Sequence, residues 1–65
     1  MKKKQAYNKL FRAKDLLWEV LENILYEEHR KEVNVDKLAE LDKLIEYVET
    51  AADQTGAALA RLEEE

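Results

Sequence analysis

The sequence contains no cysteine, no proline and no serine, and it has one glycine among 65 residues. Without cysteine there is no disulfide and no thiolate metal site, and without serine there is no serine nucleophile. A single glycine also rules out a glycine-rich phosphate-binding loop. Sheets and long loops need turn-forming proline and glycine. The composition therefore predicts an all-α fold.

Long apolar runs are absent as well, and 40% of the residues are charged. A membrane-spanning helix needs about 20 consecutive apolar residues, so none is expected. The basic start, MKKKQAYNKLFRAK, has no apolar core behind it and does not look like a secretory signal. We therefore expect a cytoplasmic protein, although the lack of cysteine alone fixes no compartment. An apolar content of 46% favours a folded chain over a disordered one.

The first predicted helix covers about residues 3–31, and its apolar side chains repeat in heptads. With Tyr7 at position a, apolar residues fill most of positions a, d, e and g. This face is wider than a two-stranded coiled coil needs. Leu16 and Tyr26 fall among the polar positions, so the pattern predicts that both are exposed.

The heptads stop at the segment HRKEVNVDK, where a turn over about residues 32–34 is predicted. Asn34 suits the N-cap of the next helix, because its side-chain oxygen can accept from backbone N–H groups of the first turn. Val33 and Leu38 stand at the two positions of a hydrophobic staple around that cap. A cap at Asp36 is the alternative, but it would lose the staple.

The second predicted helix covers about residues 35–62, and its core positions are spaced by three and four residues without a slip. The pattern continues through the stretch AADQTGAALA, which has little apolar bulk and contains the single glycine. A linker would not keep this register, so the stretch is predicted to be helical.

Two helices of similar length with a short connection predict an antiparallel hairpin, with residues 1–65 as one domain. Each helix would be about 40 Å long. One neighbouring helix cannot cover so wide an apolar face, so we expect two hairpins to dimerise into a four-helix bundle. The alternative is a monomeric hairpin that docks on a different protein, such as another helical one. The predicted hairpin and dimer core consists of Tyr7, Leu10, Phe11, Leu17, Trp18, Leu21, Ile24, Leu25, Leu38, Leu41, Ile45, Val48, Ala52, Thr55, Gly56, Leu59 and Leu62.

Bulky residues of the first helix are predicted to face small residues of the second. With the turn near residue 33, the numbers of two residues that face each other across the hairpin should add up to about 67, and we name this the facing rule. This places Phe11 beside Gly56 and Trp18 near Ala52, so that aromatic side chains pack against small ones. Phe11 would explain why the helix tolerates Gly56, which costs about 1 kcal/mol of helix propensity. The alternatives are a ligand slot, or a close helix crossing along Ala52, Gly56 and Ala60.

Two polar residues, Lys14 and Glu28, interrupt heptad position a of the first helix. The facing rule places Lys14 near Asp53, which predicts an ion pair between the helices. A lysine that extends to the edge of the core is equally compatible with the pattern.

Charge is distributed unevenly along the chain. Residues 1–14 hold six basic and no acidic residues, whereas residues 15–65 hold five basic and 15 acidic ones, so +6 and −10 give the net charge of −4. In a hairpin, the lysines at 2–4 would face the glutamates at 63–65 and be neutralised by them. The alternative is a basic patch for nucleic acid, although a pI near 5.0 argues against it. Its candidate contacts are Lys2, Lys3, Lys4, Asn8, Lys9 and Arg12.

Little in the sequence points to chemistry. His29 is the only histidine, and the Glu-x-x-His motif of helical metal sites is absent because position 26 is tyrosine. His29 is therefore predicted to lie in solvent. Helical nucleotide pyrophosphohydrolases hold magnesium with paired glutamates, but here the acidic groups do not line up across the helices. We expect no enzyme, no cofactor and no metal site. The acidic groups in question are Glu27, Glu28 and Glu32, and Glu46 and Glu49.

These patterns favour a small non-enzymatic interaction or regulatory protein, a homodimeric hairpin that binds a protein partner. In length and layout the predicted hairpin resembles the Rop-type plasmid copy-number regulators, which are short helical hairpins that dimerise; no motif is shared. That likeness supports the alternative of a nucleic-acid-binding regulator that uses the basic part of the first helix. A metal-dependent nucleotide hydrolase is the remote alternative. Layout alone does not carry function.

Overall fold

The computed structural model describes residues 2–64, which form a hairpin of two antiparallel helical arms. The predicted all-α hairpin is confirmed, and the predicted helices at about 3–31 and 35–62 lie within two residues of the arms. The two terminal residues of the predicted domain lie outside the described range. The first arm comprises α1 (Lys3–Val20), a π-helical segment (Leu21–Leu25) and α2 (Tyr26–Lys31), and the second arm is α3 (Val35–Glu64).

The first arm changes its hydrogen-bond pattern at Leu21. The backbone N–H of Tyr26 donates to the carbonyl oxygen of Leu21, five residues back, where an α-helix would use the fourth. A π-helical turn holds more residues than an α-helical turn. The side chains that follow are therefore displaced around the helix by one heptad position.

This displacement changes which residues face α3. Ile24, predicted at a core position, is 54% exposed, and Leu25 takes the inward place. Tyr26, predicted to be exposed, is half-buried and donates a hydrogen bond to Glu49. Glu28, predicted at core position a, is exposed. The predictions for Tyr26 and Glu28 were wrong because they continued the α-helical period through the π segment. Ile24 leaves the seam for the same reason, and its place in a dimer core stays a prediction.

The turn reverses the chain without glycine or proline. Glu32 is extended, with φ −78° and ψ 132°, and its carboxylate accepts from the Asn34 N–H at 3.1 Å. The side-chain oxygen of Asn34 accepts from the backbone N–H groups of Asp36 at 2.9 Å and Lys37 at 3.2 Å. Asn34 is thus confirmed as the N-cap of α3. Val33 is 90% exposed, so the hydrophobic staple predicted for it does not form.

Replacing the cap residue tests its contribution to stability. We expect Asn34→Ala to lower the free energy of unfolding by about 1 kcal/mol, because two N–H groups of the first turn lose their acceptor. Urea unfolding followed by circular dichroism measures the change. Asn34→Asp keeps an acceptor oxygen and should stay close to the parent protein. Equal stability of the alanine variant and the parent would show that the cap contributes nothing.

The core of the single hairpin is small. Leu21, Ala52 and Leu59 are its buried residues within the described range, and Leu21 is fully buried. Phe11 and Trp18 are 49% and 36% exposed, so they lie outside this core, and their place in a dimer core stays a prediction. The remaining predicted core residues are half-buried along the seam between the arms: Tyr7, Leu10, Leu17, Leu25, Leu38, Leu41, Ile45, Val48, Thr55, Gly56 and Leu62.

The hairpin is long and thin, and measures 47 × 16 × 14 Å. Within residues 2–64, no helix combines the length and the apolar character needed to cross a membrane. The residues on either side of the seam between the arms form two long edges. These two edges differ in chemistry.

Candidate functional site

One edge of the hairpin is held together by polar contacts between the arms. On α3 the acceptors of these contacts lie at positions 42, 49 and 63, all at heptad position e when Leu38 is position a. We name this edge the polar flank; its members on α3 are Asp42, Glu49, Gly56 and Glu63. Three hydrogen bonds join the arms here: the Tyr7 hydroxyl donates to Glu63 (2.7 Å), the Tyr26 hydroxyl to Glu49 (2.6 Å) and His29 Nε2–H to Asp42 (2.8 Å).

Two of these hydrogen bonds perturb tyrosines. The bond to Glu49, and to a smaller degree burial, raises the pKa of Tyr26 above its ordinary value of 10.0. The bond to Glu63 raises the pKa of Tyr7 in the same way. Each hydroxyl must keep its proton to donate, and a tyrosinate beside a carboxylate would be repelled.

Alkaline pH should therefore destabilise the hairpin. Because the folded-state pKa values of Tyr7 and Tyr26 are raised, the unfolded chain releases these protons first. The stabilisation is complete below the unfolded-state pKa and is lost as the pH rises through the folded-state pKa. Urea midpoints measured upward from about pH 8 should fall. The Tyr7→Phe/Tyr26→Phe double variant should show a shallower fall, and an identical pH profile in that variant would contradict the assignment.

Lys14 ends on the polar flank, beside Gly56. A Cβ built on Gly56 would lie 3.5 Å from the Lys14 Nζ and 3.7 Å from its Cε. Phe11, predicted at this place, instead stacks on Tyr7 with ring centroids 6.1 Å apart. Within the described residues Lys14 forms no ion pair with Asp53. No backbone atom of the first arm comes within 4 Å of that Cβ, so there is no close helix crossing at the glycine.

The predictions that Phe11 lies beside Gly56 and that Lys14 pairs with Asp53 were wrong because the arms are offset, at three of the four contacts below, by three or four residues more than the facing rule assumed. The alternative for Lys14, a lysine that extends to the edge of the core, agrees with its position beside Gly56. The rule expected the numbers of facing residues to add up to about 67. The observed sums are 70 for Tyr7 with Glu63 and for Lys14 with Gly56, 71 for His29 with Asp42, and 75 for Tyr26 with Glu49.

Gly56→Ala should stabilise the protein. The added methyl group would meet only the flexible end of Lys14, at ordinary van der Waals distances. Alanine is favoured over glycine in a helix interior by about 1 kcal/mol, so we expect a gain close to that value in thermal or urea unfolding. The exposed Ala57→Gly change is the matched control and should lose a similar amount. A loss of stability in Gly56→Ala would mean that the space at residue 56 is filled.

The opposite edge of the hairpin is apolar and open to solvent. In an antiparallel pair of helices, the e positions meet along one edge and the g positions along the other. Beyond the turn end, apolar residues occupy the g positions of both arms and two neighbouring c positions, and the π segment adds one more. The five large side chains among them are between 37% and 68% exposed. We name this set the apolar flank: Ala6, Ala13, Leu16, Val20 and Ile24 of the first arm, and Leu44, Tyr47, Ala51 and Ala58 of α3.

Two grooves near the turn show that the flanks lie on opposite sides of the seam. Glu28, Glu40 and Leu44 line one groove. His29 and Asp42, which are hydrogen-bonded to each other, line the other. Leu44 thus belongs to the side that carries none of the polar contacts described above.

Charge on the apolar flank is confined to its two ends. At the turn end, Glu28 and Glu40 lie in one groove with Lys37. At the open end, Lys9 and Arg61 occupy the rim and are exposed. Between these ends the flank positions of both arms carry no charged residue.

The sequence reasoning missed part of this surface. Leu44 and Tyr47 are not among the predicted core residues, and Leu16 is predicted to be exposed but is not assigned to an edge shared by both helices. The signal was present: position g of the second helix reads Leu44, Ala51, Ala58 at intervals of seven. It is recognisable only when the g positions of both helices are placed on the same edge.

The residues predicted to contact nucleic acid do not converge on one face. They occupy heptad positions b to f, which run around most of the circumference of α1. All of them are exposed: Lys2, Lys3, Lys4, Asn8, Lys9 and Arg12. At the same end of the hairpin, Glu63 accepts its hydrogen bond from Tyr7. The predicted neutralisation of the lysines also involves residue 65, which lies outside the described range.

His29 was predicted to lie in solvent, but it is half-buried and hydrogen-bonded to Asp42. Glu27 pairs with Arg30 along the helix, and Glu49 accepts from a tyrosine. Across residues 2–64, no three His, Asp or Glu side chains cluster closely enough to hold a metal ion. The absence of an enzyme activity stays a prediction.

Fold and surface together define a two-helix hairpin with one hydrogen-bonded edge and one open apolar edge. No protein-family model matches the chain, and no curated protein or solved structure is significantly similar to it.

Proposed function

We propose that the protein is a small non-enzymatic interaction protein that acts as a homodimer of hairpins and binds a protein partner. The observation that carries this proposal is the apolar flank. Its large side chains stay exposed after the hairpin has folded, while only three described residues are buried. Contiguous apolar surfaces of this kind mark interaction sites in small proteins.

A second copy is the occupant that best fits the apolar flank. Chains of this length bury too little apolar surface alone and commonly gain stability by association. The hairpin is 47 Å long and 16 Å wide, so a second copy of equal length can cover the apolar flank from end to end.

Sedimentation equilibrium tests the dimer directly. We expect a mass near twice the 7.7 kDa of the chain at micromolar concentration, with dissociation on dilution. A stably folded monomer at the same concentration would overturn the proposal, and would make the apolar flank the binding site for a different protein.

The partner surface that we propose lies near the polar flank. Phe11 and Trp18 occupy e positions there and stay exposed in the hairpin. Aromatic side chains are enriched at the centres of protein interfaces. In a dimer joined through the apolar flank, Trp18 should stay accessible to quenchers such as acrylamide. Protection of Trp18 fluorescence on dimerisation would instead place the aromatic edge inside the dimer.

Nucleic-acid binding is the second candidate, and one observation favours it. The six predicted contact residues at the open end are all exposed, and no acidic residue precedes position 15. Fluorescence anisotropy with short RNA and DNA duplexes, measured at several salt concentrations, decides between the candidates. Binding that weakens steeply with salt would support the nucleic-acid function. Its absence at physiological salt supports the protein-interaction function.

A further inference from the structure

We propose that the two hairpins pair with their turns at opposite ends of the bundle, each apolar flank lying antiparallel on the other. This inference rests on the proposed dimer and specifies its geometry. In this arrangement the first arm packs on the first arm of the second copy, and α3 packs on α3. The alternative, with both turns at one end, packs the first arm of each copy on α3 of the other.

Side-chain size along the apolar flank is the first reason. The half nearer the turn carries the large residues Val20, Ile24 and Leu44. The half nearer the open end carries alanines at positions 6, 13 and 58, and its one large member, Leu16, lies close to the middle of the arm. Turns at opposite ends place the bulky half of each copy on the small half of the other, which keeps the packed volume even along the interface. Turns at the same end would crowd one half and leave gaps in the other.

Charge gives the same orientation independently. The turn end of the flank is acidic, with Glu28 and Glu40 against a single Lys37, whereas the open end carries Lys9 and Arg61. Turns at opposite ends bring unlike charges together at both ends of the bundle. Turns at the same end bring the acidic ends onto each other, and like charges placed against each other disfavour an interface.

The flank residues of α3 indicate the register of the two copies. When α3 lies antiparallel on α3 of the second copy, its side chains can meet partners of complementary size and charge. An antiparallel pairing in which residue numbers add up to about 101 or 102 sets Ala51 against Ala51 of the second copy. The same register places three more pairs in contact across the interface: Leu44 with Ala58, Tyr47 with Gln54, and Glu40 with Arg61. Large residues thus meet small ones, and an acid meets a base.

Two pairs on the first arm have the same property, while Leu16 and Val20 meet near the middle of the arm. When its residue numbers add up to 37, Ile24 meets Ala13 of the second copy and Glu28 meets Lys9. The two-fold axis then passes near residue 18.5 on the first arm and near residue 51 on α3. These two numbers add up to about 70, the sum observed for Tyr7 with Glu63 and for Lys14 with Gly56. The two arms therefore place the axis at the same height in the hairpin without any adjustment.

A distance between the two turns tests the orientation. The chain has no cysteine, so Val33→Cys, at a 90% exposed turn position, gives one spin label per copy without touching either flank. Turns at opposite ends put the labels about 40 Å apart in double electron–electron resonance, from the rise of the helix along the arms. Turns at the same end put them within about 20 Å.

The outcomes separate the orientation from the dimer itself. A long distance supports the proposal. A short distance overturns it and leaves the homodimer intact. A labelled sample that sediments as a monomer overturns both this inference and the proposed function.

The register has its own test, a charge exchange between Glu40 and Arg61. Within one chain these residues are about 31 Å apart along α3, so they cannot interact there. Each dimer would contain two such contacts by symmetry. We expect Glu40→Arg and Arg61→Glu each to weaken dimerisation about tenfold, and the double exchange to return it to within about threefold of the parent. Additive losses in the double variant would overturn the register.

Discussion

We expect Leu44→Glu to convert the proposed dimer into a folded monomer. Leu44 is 49% exposed in the single hairpin, so a glutamate at this position leaves the fold in place. In the proposed dimer the same side chain would be covered by the second copy, and an unpaired carboxylate buried there would be strongly disfavoured. The change occurs twice in each dimer. We expect dimer affinity to fall at least about 100-fold in sedimentation equilibrium, while the circular dichroism of the monomer stays helical.

A matched control separates charge from position. Ala57→Glu adds the same charge to α3, at an exposed position that belongs to neither flank. Its dimer affinity should stay within a few-fold of the parent protein. Equal losses in the two variants would show that net charge, and not the apolar flank, governs association.

We expect Leu21→Ala to destabilise the single hairpin more than any other truncation in its core. Leu21 is the one large side chain that is fully buried within the described residues. Truncation of a buried leucine costs about 2–5 kcal/mol, because apolar contact is lost and a cavity remains. A chain this short has only a few kcal/mol of stability from its core, so the variant should be largely unfolded at room temperature. Circular dichroism and urea unfolding measure the loss.

The control for this variant keeps the volume of the side chain. Leu21→Met is expected to cost less than about 1.5 kcal/mol, because methionine fills a similar space. If Leu21→Ala were as stable as Leu21→Met, the seam between the arms would not depend on packing at this position. If the chain dimerises as proposed, raising the protein concentration should partly restore the alanine variant, because association would stabilise the folded chain by mass action.

The arms and the turn could be predicted from sequence because their signals are local. Heptad spacing and the lack of proline specify two long helices, and Asn34 carries its own capping geometry within three residues. These features depend on neighbours along the chain. The structure agrees with them at the cap and at the ends of the arms.

The π segment could not be predicted because the apolar pattern permits two readings. Ile24 and Leu25 are adjacent and both apolar, so either one could face the seam. The choice depends on contacts with α3, where Glu49 accepts from Tyr26 and Asp42 accepts from His29. Such contacts join residues that are distant in sequence, and periodicity within one helix does not report them.

The facing rule failed for a related reason. It assumed the shortest connection around residue 33, whereas the extended Glu32 and the cap at Asn34 shift the arms by about three residues. A shift of that size replaces Phe11 by Lys14 at Gly56. The apolar flank was missed in the same way, since it becomes visible only when the edges of the two arms are matched.

The heptad register of the first arm also differs before and after the π segment. Leu17 and Ile24 are seven residues apart and would be equivalent in an unbroken heptad, yet Leu17 faces the seam and Ile24 faces solvent. The segment acts as a one-residue insertion that the helix absorbs without a break in the arm. Deleting one residue between positions 21 and 25 would give the first arm one continuous heptad register. Tyr26 and His29 would then turn away from their acceptors on α3.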